Sequence, residues 1–268
     1  MRLINQDRDP IIVGGFYRSG TSLLRRILDA HSHIHCPPEI KFFRDFHGDY
    51  FIDDLKHIRF FTTLRSIGLS EEDLFEIYGT AFIRSHELAA QRLHKIRWGD
   101  KNPENLLYLD EWFKLLGGKM FFIFLVRDPL DMIASLLEMG FPKTIPSVFE
   151  EKIDLFKKYA ERGLAFAEKH PRVSRIVKYE DMVRDPKAEL SRLFAFLGEQ
   201  FEDGVLTEFS SEERQGGLED PKILRERHIH DKSIGRGEKD LSDEQQRFIL
   251  QHCHAIIEKT GYGEILRS

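Results

Sequence analysis

The sequence predicts an α/β protein of three layers, in which helices cover both faces of a parallel sheet. Three observations predict this class. Short apolar runs alternate with stretches of helical periodicity, which is typical of strand–helix–strand units. Residues 119–126 (KMFFIFLV) form a continuous apolar run, which suits a strand covered on both faces. Glycines or charged residues follow directly where the apolar runs end, and ligands bind at this end of parallel strands.

The chain is predicted to open as a strand, a glycine loop and a helix. Residues 11–13 (IIV) are β-branched and end in two glycines, which indicates a buried strand entering a tight turn. Apolar side chains then recur at helical spacing: Leu23, Leu24, Ile27 and Leu28. Residues 31–38 are expected to form a loop, because Pro37 and Pro38 interrupt any regular element.

Helices dominate the prediction for the middle of the chain. A helical insertion is expected over about residues 42–95, where aromatic and apolar residues recur at helical spacing. A short strand is predicted at residues 96–98 and a helix at 104–116. After the apolar run, the next helix begins at Pro129, because proline suits the first helical position.

The C-terminal half continues the alternation of helix and strand. A helix is predicted over 147–169, a strand over 173–177 and a helix over 185–198. Residues 210–240 are polar and irregular. A final helix is predicted from Ser242 to residue 259, with the Ser242 hydroxyl as its N-terminal cap.

Length and composition indicate one globular domain, residues 1–268, that carries the helical insertion. Hydrophobic residues make up 41% and charged residues 32%, which excludes bulk disorder, and the net charge of −5 argues against nucleic-acid binding through bulk charge. No apolar run reaches the roughly 20 residues of a membrane helix, and the first ten residues carry no hydrophobic signal. Two cysteines cannot form a disulfide framework. We therefore expect a cytoplasmic protein that does not insert into a membrane.

Residues 15–22 (GFYRSGTS) almost fit the phosphate-binding loop G-x-x-x-x-G-K-[ST]. Glycines let the backbone curl so that successive N–H groups face inward, and the following helix adds the partial positive charge of its N-terminus. Thr21 stands where the motif has lysine, and a cation is present instead at Arg18. The loop predicts a site for a phosphate or sulfate group.

A second anion site is predicted after the apolar run. Arg127 can bind phosphate oxygens through two parallel hydrogen bonds, which a lysine cannot do. Ser135 follows about two helical turns later, so its hydroxyl can point back towards the same phosphate. The two anion sites follow neighbouring predicted strands, and a ligand with two anionic groups would fit them.

These segments resemble the sulfotransferases that use 3′-phosphoadenosine 5′-phosphosulfate (PAPS). Residues 18–24 (RSGTSLL) are similar to the family's loop for the 5′-phosphosulfate. Residues 126–129 (VRDP), with Ser135, are similar to the segment that holds the 3′-phosphate. Residues 233–236 (SIGR) resemble the family's C-terminal nucleotide loop.

Residues 14–41 are similar to protein-tyrosine sulfotransferases in particular. In those relatives an acidic residue stands at the position of Pro38 and an arginine at the position of Lys41. Both departures bear on the acceptor and leave the transfer chemistry untouched.

The resemblance implies a role for each of a set of residues. Those implied to bind the donor are Arg18, Ser19, Gly20, Thr21, Ser22, Arg127, Ser135, Tyr179, Ser233 and Arg236. Glu39 is implied as the general base and Lys101 as the cation that stabilises the leaving phosphate. Arg18 is implied both as a donor-binding and as a catalytic residue. The sulfuryl group would move in line from PAPS to a hydroxyl or amine, leaving PAP as the product and needing no metal ion.

Other interpretations stay open. A kinase-like phosphotransferase using ATP is one, although Thr21 replaces the lysine of the loop and no apolar strand ends in a lone aspartate for magnesium. A nucleotide-binding protein without activity is another, and Glu39 and Lys101 argue against it. His31, His33 and His35 alternate, but we interpret them as loop histidines and not as a metal site.

The acceptor and the assembly do not follow from the sequence. A small molecule, a carbohydrate and a peptide all remain candidates for the acceptor, and the biological pathway stays open with it. The oligomeric state is also open.

Overall fold

The computed structural model of the chain describes residues 8–48, 55–139, 144–211 and 227–266. Five parallel strands form one sheet in the described part, in the order β2-β3-β1-β4-β5. Their bounds are β1 Ile11–Gly14, β2 Ile34–His35, β3 Arg97–Lys101, β4 Phe121–Val126 and β5 Ser174–Lys178. The α/β class with a parallel sheet is therefore confirmed. Since β1 is central, the loop that follows it lies between the ends of β3 and β4.

Helices surround this sheet in the described ranges. Their bounds are α1 Thr21–Ala30, α2 Phe42–His47, α3 Leu55–Ser66, α4 Glu71–Arg92, α5 Leu109–Leu115, α6 Pro129–Met139, α7 Phe149–Lys169, α8 Tyr179–Arg184, α9 Pro186–Phe196, α10 Val205–Glu208, α11 Gly237–Asp240, α12 Asp243–His252 and α13 His254–Lys259. Two 3-10 helices, Pro103–Leu107 and Gly263–Leu266, complete the elements. None of the described helices combines the length and the apolar character that a membrane span requires.

Both faces of β4 are buried, as its continuous apolar run predicts. Phe122 and Phe124 point into a core shared with α4 to α7 and the C-terminal helices. Ile123 and Leu125 point into a second core shared with α1, α8 and α9. Successive residues of a strand face opposite sides, so one apolar strand serves two layers of helices.

The helical stretch between β2 and β3 is confirmed. Ser70 caps α4 in a reciprocal box: its hydroxyl accepts from the Asp73 N–H while the Asp73 carboxylate accepts from the Ser70 N–H. Aromatic stacking joins α2 to α4, because the rings of Phe42 and Phe82 lie 4.4 Å apart between centroids.

Four predicted elements differ from the structure. The helix predicted over 104–116 is divided into the 3-10 helix Pro103–Leu107 and α5. The loop predicted over 31–38 contains strand β2, which pairs only two residues and is too short for a periodic pattern. The strand predicted at 96–98 extends to Lys101, because its polar side chains are satisfied inside the protein instead of at a surface. The final helix is divided at Cys253 into α12 and α13, although Ser242 caps its start as predicted.

Candidate functional site

The carboxyl ends of four strands meet along one rim of the sheet. The glycine loop follows β1, Lys101 ends β3, Arg127 follows β4 and Tyr179 follows β5. Parallel strands place these positions side by side, so residues that are far apart in sequence come together here.

The glycine loop has the backbone of an anion cradle. Gly20 has a φ of 92° and lies against the ring of Tyr179, where an added Cβ would come within 2.4 Å of a ring carbon. Arg18 also adopts a left-handed conformation, with a φ of 69°. Gly20 precedes α1 without providing a side-chain cap, so N–H groups of the first turn are left to bind an anion.

The hydroxyl groups of this loop have different surroundings. Ser19 is buried and its hydroxyl lies 3.4 Å from the Met132 sulfur, while Thr21 is buried beside Gly15. Ser22 is half-buried, and its hydroxyl accepts a hydrogen bond of 3.2 Å from Lys101. The hydroxyl of Ser22 thus contacts Lys101, a predicted catalytic residue.

Arg127 is held at the centre of the predicted donor site. Its two terminal nitrogens donate to the backbone carbonyls of Arg18 (2.9 Å) and Ser233 (2.8 Å). Its guanidinium lies 4.6 Å from the centroid of the Tyr179 ring, a cation–π distance. Burial lowers the pKa of Arg127, and its Nε is buried without a hydrogen-bond partner among the described residues. A buried donor of this kind is suited to an anion.

Arg18 and Ser135 join the two predicted anion sites. The Nε of Arg18 donates a hydrogen bond of 3.0 Å to the hydroxyl of Ser135, which is buried on α6. With the bond from Arg127 to the Arg18 carbonyl, the two arginines lie on the same rim. The structure thus brings together the residues that the sequence places about 110 positions apart.

Glu39 and Lys101 are in direct contact. The Lys101 ammonium, buried at the end of β3, lies 2.5 Å from a carboxylate oxygen of Glu39. Lys101 also donates to Ser22 at the start of α1. The predicted base, the predicted cation and the glycine loop therefore form one hydrogen-bonded group.

The segment around Glu39 is fixed by residues that our sequence analysis did not single out. Asn102 donates through one amide nitrogen to the Ile40 carbonyl (2.9 Å) and to the Asp100 carboxylate (3.0 Å). Asp100 and Asn102 flank Lys101, so the residues on either side of the cation help to place the base.

Glu104 is a further residue that the sequence pattern did not single out. One of its buried carboxylate oxygens accepts from the Tyr17 hydroxyl (2.6 Å), the Lys41 ammonium (2.9 Å) and the Arg44 guanidinium (2.7 Å). Burial opposes its ionisation, but Lys41, Tyr17 and Arg44 together lower the pKa of Glu104. The run of polar residues directly after a strand was the signal that could have found it.

The C-terminal loop places its two predicted donor-binding residues differently. The Ser233 carbonyl accepts from Arg127, and its hydroxyl lies 3.0 Å from the Tyr179 hydroxyl. Arg236 instead pairs with Glu138 on α6 (2.9 Å) and with Asp240 (2.7 Å). Ser233 is part of the group around Arg127, whereas Arg236 is engaged by two carboxylates.

A cluster of possible metal ligands, His31, His33 and Glu199, lies elsewhere. Both ring nitrogens of His31 are engaged, by the Gln200 carbonyl and by the His33 N–H. Glu199 pairs with two arginines, Arg8 and Arg97. Two cations on the only carboxylate of this cluster do not fit a bound metal ion.

A groove lies away from the rim. It has a volume of about 580 Å³ and runs between α7 and the 3-10 helix that follows β3. Its charged lining mixes both signs, with Asp154, Lys157, Glu161 and Arg162 along α7. None of the predicted site residues is among the residues that line it.

Comparisons with known proteins agree on one family. Residues 10–203 match the family described as the sulfotransferase family. A Caenorhabditis briggsae protein described as "Putative protein-tyrosine sulfotransferase" is 28% identical over 205 residues, which cover 73% of this chain and 68% of that protein.

Solved structures share the fold at low sequence identity. The sulfotransferase domain of the Synechococcus PCC 7002 olefin synthase is 21% identical, with a TM-score of 0.63 over 95% of this chain and 98% of that one. The sulfotransferase domain of the curacin biosynthetic pathway is 21% identical, with a TM-score of 0.62 over 95% and 99%. A mouse sulfotransferase solved with PAP is 16% identical, with a TM-score of 0.52 over 97% and 87%.

Proposed function

Because this chain belongs to the sulfotransferase family, we propose that it moves a sulfuryl group from PAPS to an acceptor hydroxyl or amine at the rim described above. One observation carries the proposal. The contact between Glu39 and Lys101 lies beside the glycine loop, and Arg18 in that loop adjoins Arg127. Base, cation and two anion-binding arginines therefore belong to one connected group.

The described residues fit a donor with two anionic groups. The glycine loop, with Arg18 and the start of α1, would hold the 5′-phosphosulfate through backbone N–H groups and the arginine. Arg127 and Ser135 would hold the 3′-phosphate, and the buried, unpartnered Nε of Arg127 supports this assignment. Ser233 and Tyr179 extend the same half of the site.

We assign proton transfer to Glu39. It takes the proton of the acceptor hydroxyl, so that the acceptor oxygen forms a bond to sulfur while the bond from sulfur to the phosphate oxygen breaks. Lys101 neutralises the charge that develops on that phosphate oxygen. The 2.5 Å contact with Lys101 is made by one carboxylate oxygen of Glu39, so the second oxygen would take the proton.

The acceptor class is the finer part of the proposal. The C. briggsae relative is named for protein tyrosine, which makes a tyrosine-containing peptide the first acceptor to test. Pro38 and Lys41 depart from the residues of such relatives, so a phenol and a carbohydrate belong in the same panel. Transfer of labelled sulfate from PAPS identifies the acceptor. Failure to transfer sulfate to any member of the panel would contradict the proposed activity for those classes.

A binding experiment distinguishes the proposed function from a kinase-like one. The proposed sulfotransferase binds PAP in the presence of a chelator, whereas a phosphate-loop kinase needs magnesium to bind ATP. Calorimetric titration with PAP and with ATP, each with and without magnesium, separates the two. Binding of ATP with magnesium and none of PAP would overturn our proposal.

A further inference from the structure

The loop that carries Ser233 is fastened to α6 by one buried carboxylate. One oxygen of Asp131 accepts from the backbone N–H of Gly235 (2.8 Å), and the other accepts from the N–H of Gly237 (2.7 Å). Asp131 is only 2% exposed. A buried carboxylate is stable only when donors satisfy it, so these two bonds hold the loop and the aspartate to each other.

The packing at Gly237 shows how closely the loop lies on α6. A Cβ added at Gly237 would come within 2.5 Å of the Leu130 backbone carbon. Since backbone atoms cannot move aside as a flexible side chain can, only glycine allows the loop to lie this close to α6. Hydrogen bonding to Asp131 and close contact with Leu130 therefore fix the same short segment.

This segment leads directly to Arg127. The Ser233 carbonyl receives a hydrogen bond from Arg127, and the Ser233 hydroxyl contacts Tyr179, whose ring lies under the Arg127 guanidinium. Displacement of the loop would remove one of the two carbonyls that orient Arg127. Asp131 is itself not among the residues assigned to the donor.

We propose that Asp131 is a positioning residue for the 3′-phosphate half of the donor site. It holds the 233–237 loop on α6, and through Ser233 it sets the orientation of Arg127. This inference rests on the proposed function, because it takes Arg127 as the ligand of the 3′-phosphate. It predicts a loss that is selective for nucleotides carrying a 3′-phosphate.

The test compares PAP with adenosine 5′-monophosphate, which lacks only the 3′-phosphate. Calorimetry is carried out on the native chain, Asp131→Asn and Gly237→Ala. We expect both variants to bind PAP about tenfold or more weakly, the loss of one charge-assisted contact, and to bind the monophosphate within about twofold of the native chain. The two variants act on opposite sides of one contact, so either of them tests the proposal if the other does not fold.

A matched control removes a buried carboxylate elsewhere. Glu189 on α9 is 6% exposed and pairs with Arg175 and Arg192, none of which is assigned to the donor. Glu189→Gln is expected to lower the melting temperature without changing the preference for PAP over the monophosphate. Hydrogen exchange of the Gly235 and Gly237 amides gives a second readout, since it should accelerate in Asp131→Asn but not in Glu189→Gln.

Each outcome is decisive. If the native chain does not prefer PAP over the monophosphate, the donor assignment of the proposed function fails. If the native chain shows the preference and both folded variants retain it, the role of Asp131 is refuted while the function stands. Faster exchange of the loop amides together with an unchanged preference would also refute it, because the loop would then be loose without consequence for Arg127.

Discussion

Glu39 combines two roles at the scale of a single side chain: it pairs with Lys101 in the free protein and is proposed to take a proton in the reaction. Glu39→Gln keeps the shape and removes the basic oxygen. We expect turnover to fall by about 10²–10⁴-fold, the range for loss of a general base, while the affinity for PAP stays near normal. Labelled-sulfate transfer and calorimetry measure the two quantities.

Glu87→Gln is the control for Glu39, because Glu87 is a half-buried glutamate paired with Arg84 on the surface of α4. It should leave turnover unchanged. Native turnover in Glu39→Gln would exclude Glu39 as the base.

Arg127→Ala should weaken the binding of PAP by about 2–4 kcal/mol, the usual loss when one partner of a buried charged pair is removed. The cause is loss of the guanidinium that lies between the Arg18 carbonyl, the Ser233 carbonyl and the Tyr179 ring. Arg192→Ala, on the surface of α9, should leave the affinity unchanged. An Arg127→Ala protein that binds PAP normally would contradict the assignment.

Asp128 gives a pH dependence of stability. Burial, reinforced by the neighbouring carboxylates of Asp131 and Glu180, raises its pKa from 3.8 to about 6. The folded state thus binds the Asp128 proton more tightly than the unfolded state does. The contribution of this proton to the free energy of unfolding is fully present below pH 3.8 and is lost as the pH rises through 6. Relative to Asp128→Asn, the free energy of unfolding should fall by about 2–3 kcal/mol between pH 4 and pH 7.

Urea titrations of the native chain and Asp128→Asn at the two pH values measure this difference, because the other titrating groups cancel. A difference between the two proteins that does not vary with pH would mean that Asp128 titrates as an exposed carboxyl does.

The 3-10 helix after β3 is the element that joins the glycine loop to the segment bearing Glu39. Its Glu104 accepts from Tyr17 on one side and from Lys41 and Arg44 on the other. Glu104→Gln leaves two cations without their shared anion, and we expect a loss of about 3–5 kcal/mol in the free energy of unfolding. Denaturant titration measures it, and a loss below 1 kcal/mol would show that the cations find other partners.

The sequence predicted the elements with periodic or continuous apolar patterns, such as β4, α7 and the start of α1. It missed β2 because two residues carry no period, and it ended β3 early because a buried strand with the sequence RWGDK is not apolar. Polar strands are found only once their partners are known, and those partners, such as Asn102 and Asn105 for Asp100, lie in the segment that follows.

The candidate site divides in the same way. Arg18 and Arg127 could be named from the glycine loop and from the end of the apolar strand, and Glu39 and Lys101 from the resemblance to the family. The structure brings all four together. Asp131 could not be named, because its partners are backbone N–H groups more than a hundred positions away and no side-chain pattern records them. The assignment of residues 1–268 to one domain and the cytoplasmic location stay predictions.

At the scale of the whole molecule, the donor would link elements from three parts of the chain: the loop after β1, α6, and the 233–237 segment. A ligand that binds only the folded state stabilises it by about 2.7 kcal/mol at a hundred times its dissociation constant. For a chain of this length we expect PAP without magnesium to raise the melting temperature by about 5–10 °C. Calorimetric scans with and without PAP test this, and a shift with ATP and magnesium alone would favour a kinase.

The central place of β1 in the sheet has a consequence for the evolution of specificity. Nucleotide handling is assigned to the β4 side, with α6 and the C-terminal loop, while the segment bearing Glu39 and helices α2 to α4 lie on the β3 side. Mutations in α2 to α4 can therefore change the acceptor flank while α6 and the 233–237 loop keep their own contacts. Descendants of one ancestral enzyme could therefore change their acceptor while they keep the same binding site for the activated sulfate.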